Sequence, residues 1–490
     1  MKIHLEELDH QEEALKALLS AMPKLDEDNR DLATFANPLL QGAGIEDNFI
    51  DIKMETGTGK TYVYTRTMYE LNKCFGLFKF VIVVPNLAIK EGTRNFIEGD
   101  YARQHFSKPY PNKRIELQII SGGDFSFKRG RRKNFPAALT QFCESDRNER
   151  NIIQCLLINT QMLMSKGFCD EDYDQTLFGD ASCPMDAVAA TQPIVIIDEP
   201  HRIKRDSTGY KAVQSLKPQL IIRFGATFPE MRQGRGRNAI VKPDYYRGTP
   251  QYNLGAVEAF NQDLVKGVSI QFPNLPESAA NRFRVKNISA RELILTQRSG
   301  EGSNIREFTI KPGEDLSAAT AADFGGISYE GSKKLSNELE LETGMELVSG
   351  VFTNTYQELL LSQAINTHFE VEQANFHRQN NYKVKTNALF FIDSIASYRD
   401  SDGWLKQKFE ELLRKKLDQL LSPNMSNSIS PEYRDYLQAT KENLALSHGG
   451  YFARDWGEPD DSATAEERDD ILHKERTLPF KRSDGSWNIR

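Results

Sequence analysis

The stretch that decides the fold reads Asp51-Ile52-Lys53-Met54-Glu55-Thr56-Gly57-Thr58-Gly59-Lys60-Thr61. Residues 48–53 have a strand pattern, and a helical pattern runs from residue 60 to about residue 72. A glycine-rich turn between a strand and a helix directs backbone N–H groups inward, and the helix N-terminus adds positive potential. The stretch therefore predicts a phosphate-binding loop at residues 54–61.

The loop residues have separate predicted roles. The amine of Lys60 is expected to reach the β- and γ-phosphates of ATP, and the hydroxyl of Thr61 is expected to bind Mg²⁺. The strict form of this motif has glycine where Met54 stands, so the loop departs from it at its first position. The residues expected to contact the nucleotide are Thr56, Gly57, Thr58, Gly59, Lys60 and Thr61.

A second strand pattern ends in two carboxylates. Residues 193–197 are mostly apolar and lead into Asp198-Glu199-Pro200-His201. Ligands bind at the carboxyl ends of strands in an open parallel sheet. Asp198 is therefore predicted to bind Mg²⁺ directly or through water, and Glu199 to orient and deprotonate an attacking water. Taken alone, the pair is equally compatible with a strand that ends in a solvated acidic turn.

The order of elements predicts an α/β domain over residues 1–255. A helix is predicted at residues 6–21, and helical patterns separate most of the strand patterns that follow. Such alternation predicts a doubly wound, mostly parallel sheet. The predicted strands are residues 48–53, 80–84, 115–120, 152–158, 193–197 and 220–224.

The pattern changes after residue 255. Residues 268–273, 282–288, 292–297 and 305–311 alternate between apolar and polar side chains, which predicts a small antiparallel insertion. A helix follows at residues 356–379, with Leu361, Ile365 and Phe369 on one face. The apolar run at residues 385–393 predicts a buried strand that begins a second α/β unit.

Composition excludes several classes of protein. Charged residues make up 27% of the chain, and no run of about 18 apolar residues is present to span a membrane. The first residues do not resemble a signal peptide, so a cytoplasmic location is expected. The five cysteines are scattered, which favours neither a disulfide framework nor a zinc site. The basic run at residues 128–133 is compatible with a DNA contact and with a solvated loop.

Several segments together resemble one family. They are METGTGKTYVYTRTMYELNK, FVIVVPNLAIKEG, VIIDEPHR, FGAT, AFNQDLVKGVSI, LFFIDSIASYR and HGGYFARD. They resemble the Res subunit of type III restriction–modification enzymes, which belongs to the superfamily 2 helicase-like motors. The resemblance implies a RecA-like motor domain at 1–255, a β-rich insertion with a helical connector at 256–380, and an incomplete second RecA-like lobe at 381–490.

The resemblance also implies roles for further residues. Gln11 is similar to the glutamine that contacts adenine in these motors. The turn Gly225-Ala226-Thr227 is similar to the element that couples the nucleotide site to the nucleic-acid track. Residues 83–86 and 158–161 are similar to two elements that grip the nucleic-acid backbone, and ordinary strand exits remain the alternative for both.

The function implied by the resemblance is an ATP-dependent DNA translocase. It would use ATP and Mg²⁺, bind double-stranded DNA, and work with a methyltransferase (Mod) subunit that reads the site. The arginine-bearing element of the second lobe and a nuclease motif are not found in the sequence, so we expect an N-terminal portion that binds ATP and hydrolyses it weakly. A superfamily 2 helicase of repair or another defence system, and an ATP-binding scaffold without turnover, remain alternatives.

Overall fold

The structure is a computed structural model, and it divides into two compact units, residues 2–268 and residues 269–490. The described residues are 5–26, 33–42, 48–125, 134–149, 151–169, 173, 176–178, 181–233, 240–272, 281–298, 305–337, 339–378, 383–392, 395–400, 403–423, 429–450, 479–482 and 484–489. The basic run at 128–133 lies outside them.

The first unit is built on a seven-stranded parallel sheet with the order β3-β4-β2-β5-β6-β1-β9. A separate antiparallel pair, β7 with β8, lies outside this sheet. The strands are β1 Phe49–Met54, β2 Lys79–Val84, β3 Arg114–Ile119, β4 Ile152–Asn159, β5 Ile194–Asp198, β6 Leu220–Gly225, β7 Glu230–Gln233, β8 Ile240–Pro243 and β9 Tyr252–Leu254.

Helices cover both faces of this sheet. Alternate residues of each strand point to opposite faces, so Ile50 and Ile52 join the apolar cluster beneath the helix that follows the phosphate loop, while Phe49 joins the cluster on the other face. The helices are α1 Asp9–Ser20, α2 Lys60–Phe75, α3 Leu87–Glu98, α4 Asp100–Ser107, α5 Ala137–Glu144, α6 Thr160–Leu163, α7 Lys166–Cys169, α8 Pro184–Ala190, α9 Thr208–Ser215 and α10 Ala256–Asn261.

The predicted α/β architecture is confirmed in this unit. All six predicted strands form, and each is part of the parallel sheet.

The strand predicted at 268–273 is wrong, because residues 268–272 lie in no strand. Val268, Ile270 and Phe272 are 87%, 71% and 75% exposed, so the alternating pattern there has no apolar layer to face.

The second unit begins with a small antiparallel sheet of order β12-β11-β10-β15. Phe283, Val285, Leu293 and Leu295 point inward from its central strands, which confirms the predicted antiparallel insertion. The strands are β10 Arg282–Ile288, β11 Leu293–Arg298, β12 Ile305–Ile310, β13 Tyr329–Gly331, β14 Lys334–Leu335 and β15 Glu346–Val348.

The three longest helices of this unit share a second apolar cluster. The predicted face of the long helix is confirmed, since Leu361, Ile365 and Phe369 are all buried. In the described residues no helix is long and apolar enough to cross a membrane. The helices are α11 Leu316–Thr320, α12 Asn354–Phe376, α13 Ala396–Arg399, α14 Trp404–Leu421 and α15 Pro431–Glu442.

The strand predicted at 385–393 is wrong for the residues that are described. Residues 383–392 form no regular element, and Leu389 and Phe391 are 80% and 93% exposed. A strand needs a neighbour to pair its backbone groups, and the described residues from 395 to 446 form helices instead. The division at residues 255 and 380, with a second lobe from 381, stays a prediction.

Candidate functional site

The predicted phosphate loop follows β1 and leads directly into α2. Gly57 and Gly59 have φ angles of 89° and 90°, in the left-handed region that glycine adopts without strain. Gly59 is also the N-cap of α2. A Cβ built on Gly57 would meet nothing within 4 Å, so the loop has open space beside its backbone. This geometry suits an anion at the helix N-terminus.

Two side chains of α1 contact the backbone of the phosphate loop at Thr58. His10 Nε2 lies 2.8 Å from the carbonyl oxygen of Thr58, and Gln11 Nε2 donates to the same oxygen at 3.2 Å. A Cβ on Gly59 would lie only 2.3 Å from the flexible amide of Gln11, which could shift, whereas the φ of 90° favours glycine at this position. The sequence analysis identified Gln11 but missed His10. The signal that could have found it is its position directly before Gln11.

Asp198 ends β5 and is 5% exposed. Its Oδ1 atom is buried and has no hydrogen-bond partner among the described residues. Burial raises the pKa of this carboxyl to about 6, with nearby Glu199 also raising it and Lys60 lowering it. A buried carboxylate oxygen without a donor is free to bind a cation.

Glu199 connects the acidic motif to the loop. Its backbone φ angle is 56°, in the left-handed region that is unfavourable for residues other than glycine. Its N–H donates to the Phe224 carbonyl at 3.0 Å. The carboxylate lies 3.3 Å from Lys60 Nζ through one oxygen and 3.3 Å from His201 Nδ1 through the other. The predicted lysine and the predicted base therefore lie together.

The predicted coupling turn packs against the acidic motif. A Cβ on Gly225 would lie 2.6 Å from Pro200 Cδ and 2.8 Å from the Thr227 carbonyl oxygen, so glycine permits this contact. Ala226 is half-buried and Thr227 is exposed. The turn is therefore in direct contact with the residue that follows Glu199.

The two strand exits predicted to grip nucleic acid are neighbours. The hydroxyl of Thr160 donates to the Pro85 carbonyl at 3.4 Å. The side chain of Asn86 accepts from Ile89 N at 2.9 Å and caps α3, while Asn159 is buried. Their role in nucleic-acid binding stays a prediction.

The arrangement is suited to an anion and a hard cation together. In the described part of the chain, no cluster of three or more His, Cys, Asp and Glu side chains surrounds a common point. A Mg²⁺ ion is commonly held by one or two carboxylates with phosphate oxygens and water, so Asp198 and Thr61 fit it.

Sequence reasoning missed Tyr64, whose hydroxyl lies 2.9 Å from Thr93 Oγ1 and whose pKa is raised by burial and by Asp198.

The parallel sheet, the loop and the acidic pair define a P-loop α/β protein. The family described as "Type III restriction enzyme, res subunit" matches residues 4–230. Residues 4–230 of the chain belong to this family of Res subunits.

Two curated relatives match the whole chain. The StyLTI Res subunit of Salmonella typhimurium is 50% identical over 502 residues, covering 100% of this chain and 50% of the relative. The EcoPI Res subunit of Escherichia phage P1 is 32% identical over 512 residues, with the same two shares. The chain therefore spans about half the length of these relatives.

Similarity to solved structures is more distant. The ATP-dependent type ISP restriction–modification enzyme LlaBIII bound to DNA aligns with 14% identity and a TM-score of 0.32, over 59% of this chain and 17% of that one. The UvsW helicase of bacteriophage T4 aligns with 12% identity and a TM-score of 0.20, over 46% and 62%.

Proposed function

We propose that this chain is the ATP-dependent, DNA-translocating motor part of a type III restriction system. The observation that carries the proposal is the meeting of Lys60, Asp198 and Glu199 at one edge of the parallel sheet. Lysine at a phosphate loop after β1 and paired carboxylates at the end of β5, two strands away in the sheet, are groups that phosphoryl transfer to water uses.

Each residue has a distinct role in this proposal. The N–H groups of the loop bind the phosphates, and Lys60 leaves Glu199 to pair with them. The bound Mg²⁺ would supply charge neutralisation at the phosphate oxygens. Glu199, released from Lys60, orients the water and accepts its proton. A cation in the space beside its unpartnered oxygen would hold Asp198 in the ionised form.

Double-stranded DNA and a methyltransferase subunit are the proposed partners. Support comes from the relatives, which are named Res subunits of type III restriction–modification enzymes. The contact between Gly225 and Pro200 supports a link from the acidic motif to the surface at Thr227. A DNA-induced shift of the turn at residues 225–227 would thus change the position of Glu199.

The experiment is an ATP hydrolysis assay with and without duplex DNA, on the purified chain and on its complex with a type III methyltransferase subunit. We expect duplex DNA to raise turnover by the complex, and Lys60→Ala to abolish that increase. A rate of ATP hydrolysis that duplex DNA leaves unchanged in both preparations would contradict the proposed motor function.

Binding without appreciable turnover is the second candidate. The observation that favours it is the absence of strand structure at residues 383–392, where a second α/β lobe was predicted to begin. An arginine supplied by such a lobe contributes a rate factor of about 10³ to 10⁵ in related phosphoryl-transfer enzymes. Tight ATP binding by the isolated chain with turnover near the background rate would favour this candidate.

A further inference from the structure

A β-hairpin follows the coupling turn. Strands β7 and β8 pair antiparallel with each other and with no strand of the seven-stranded sheet. Met231, Ile240 and Val241 are 39%, 57% and 54% exposed, and they are distributed over both faces of the ribbon. A two-stranded hairpin without a packed face is at best marginally stable in water, so this one depends on its base.

The base of the hairpin is held by Asp244. Its N–H donates to the Pro229 carbonyl at 2.6 Å, which closes the base of the ribbon. Asp244 is buried, and its carboxylate accepts from Arg205 Nε at 2.8 Å. Arg223 donates to the Asp244 carbonyl at 2.8 Å. A buried carboxylate with a paired guanidinium gives the base a fixed geometry.

The same base is tied to the strand that leads to the phosphate loop. Arg223 on β6 donates to both carboxylate oxygens of Asp51 on β1, at 2.6 and 2.8 Å. Tyr246 N donates to Asp51 as well, at 2.9 Å. Movement of β1 and β6 at the nucleotide site would therefore be transmitted to the hairpin through charge-assisted hydrogen bonds.

The hairpin is basic in an acidic chain. The sequence from Glu230 to Pro243 has four cationic residues and one acidic residue, a net charge of +3, whereas the whole chain has −7. Residues 234–239, which join the strands, lie outside the described residues. On the strands, Arg232 pairs with Val241 and Lys242 pairs with Met231, so each face carries one cation beside an apolar side chain.

We propose that the hairpin β7–β8 is an arm that contacts duplex DNA, with Arg232 and Lys242 binding backbone phosphates. A two-stranded ribbon has the width that the major groove admits, and apolar side chains beside the cations can pack on sugars and base edges. The proposal rests on the proposed function in one respect, that duplex DNA is the track. The base at Asp244 links the arm to the nucleotide site.

The test is equilibrium binding of a fluorescein-labelled DNA duplex, measured by anisotropy over a series of salt concentrations. The variant is Arg232→Glu with Lys242→Glu. The charge-matched control is Lys108→Glu with Lys217→Glu, two exposed lysines that precede β3 and β6 and so lie near the opposite edge of the sheet. A neutral variant, Arg232→Gln with Lys242→Gln, should bind DNA with an affinity between those of wild type and the hairpin variant. Thermal melting checks that all four proteins are folded.

We expect the hairpin variant to bind DNA at least about tenfold more weakly than wild type, and the slope of log affinity against log salt to become shallower by about two. The control variant should match wild type in both. Wild-type affinity and slope in the hairpin variant would overturn the proposal and leave the proposed function intact. No duplex binding by wild type would contradict the proposed function itself.

One further outcome concerns a protein partner in place of DNA. Unchanged DNA binding by the hairpin variant, together with weaker association with the methyltransferase subunit in a pull-down of purified components, would assign the hairpin to that subunit. This result would also overturn the proposal.

Discussion

Lys60 Nζ lies 3.3 Å from Glu199 Oε1, and this ion pair joins the phosphate loop to the acidic motif. The lysine side chain is 9% exposed and the glutamate side chain 20%, so water screens the pair only in part. Phosphates bound at the loop would compete with Glu199 for the lysine. In the proposed function, the pair keeps the lysine and the glutamate close together, and phosphate binding would release the glutamate.

The first prediction concerns Glu199→Gln. The amide keeps the shape of the side chain but accepts no proton and attracts Lys60 less. We expect ATP to bind as tightly as in wild type or more tightly, and residual hydrolysis to fall by about 10² or more. Calorimetric titration and a phosphate-release assay check the two parts. Wild-type turnover in this variant would remove Glu199 from the proposed catalytic role.

The second prediction concerns the stability of the metal-free protein. The pKa of Asp198 is raised from 3.8 to about 6, so the folded protein binds this proton more tightly than the unfolded chain does. Its favourable contribution is therefore present at low pH and is lost as the pH rises through about 6. Asparagine does not titrate in this range.

The measurement for Asp198 is urea unfolding of wild type and Asp198→Asn without Mg²⁺ or nucleotide. Relative to the variant, wild type should lose about 2 kcal/mol of unfolding free energy between about pH 4 and about pH 7. A difference between the two proteins that stays constant over this range would show that the carboxyl titrates normally.

The third prediction separates the two side chains that hold Thr58. Gln11→Ala removes a hydrogen bond to the Thr58 carbonyl and also the amide predicted to contact adenine, so ATP affinity should fall by more than GTP affinity does. His10→Ala removes only the support of the Thr58 carbonyl, so both affinities should fall together, by about fivefold for one lost hydrogen bond. Fluorescent-nucleotide competition measures both. Equal selectivity in the two variants would contradict the adenine role of Gln11.

The fourth prediction concerns Gly225→Ala. The added methyl would lie 2.6 Å from Pro200 Cδ, so the turn must move away from the acidic motif. We expect ATP binding to be kept and stimulation of hydrolysis by DNA to be lost. Ala226→Gly is the matched control, because it removes a side chain from the same turn without creating this contact. Normal stimulation in Gly225→Ala would contradict the coupling role.

The parallel sheet could be predicted because its strands are short apolar runs that end in polar turns. Residues 79–84 and 194–198 are buried along their whole length, which is why their composition alone identified them. Residues 268–272 and 385–392 also have strand-like patterns of apolar residues but no neighbouring strand in the described residues. Pairing is a long-range property, and a local pattern does not contain it.

The site was predicted where a residue type has a specific chemical use. Lysine after a glycine-rich loop and carboxylates after a strand were recognised in this way. His10 and Tyr64 were missed because their importance comes from contacts with residues far along the chain, 48 residues away for His10 and Thr58. The Asp51–Arg223 pair, separated by 172 residues, was invisible for the same reason.

The most direct test of the central claim is calorimetric titration of Mg–ATP into the wild-type chain and into Lys60→Ala. Binding of one nucleotide per chain by wild type, with affinity lower by about tenfold or more in the variant, is the result that this account predicts, because Lys60 provides the charge that pairs with the phosphates. Equal affinity in the two proteins, or no binding by wild type, would contradict the assignment of residues 54–61 as the ATP site.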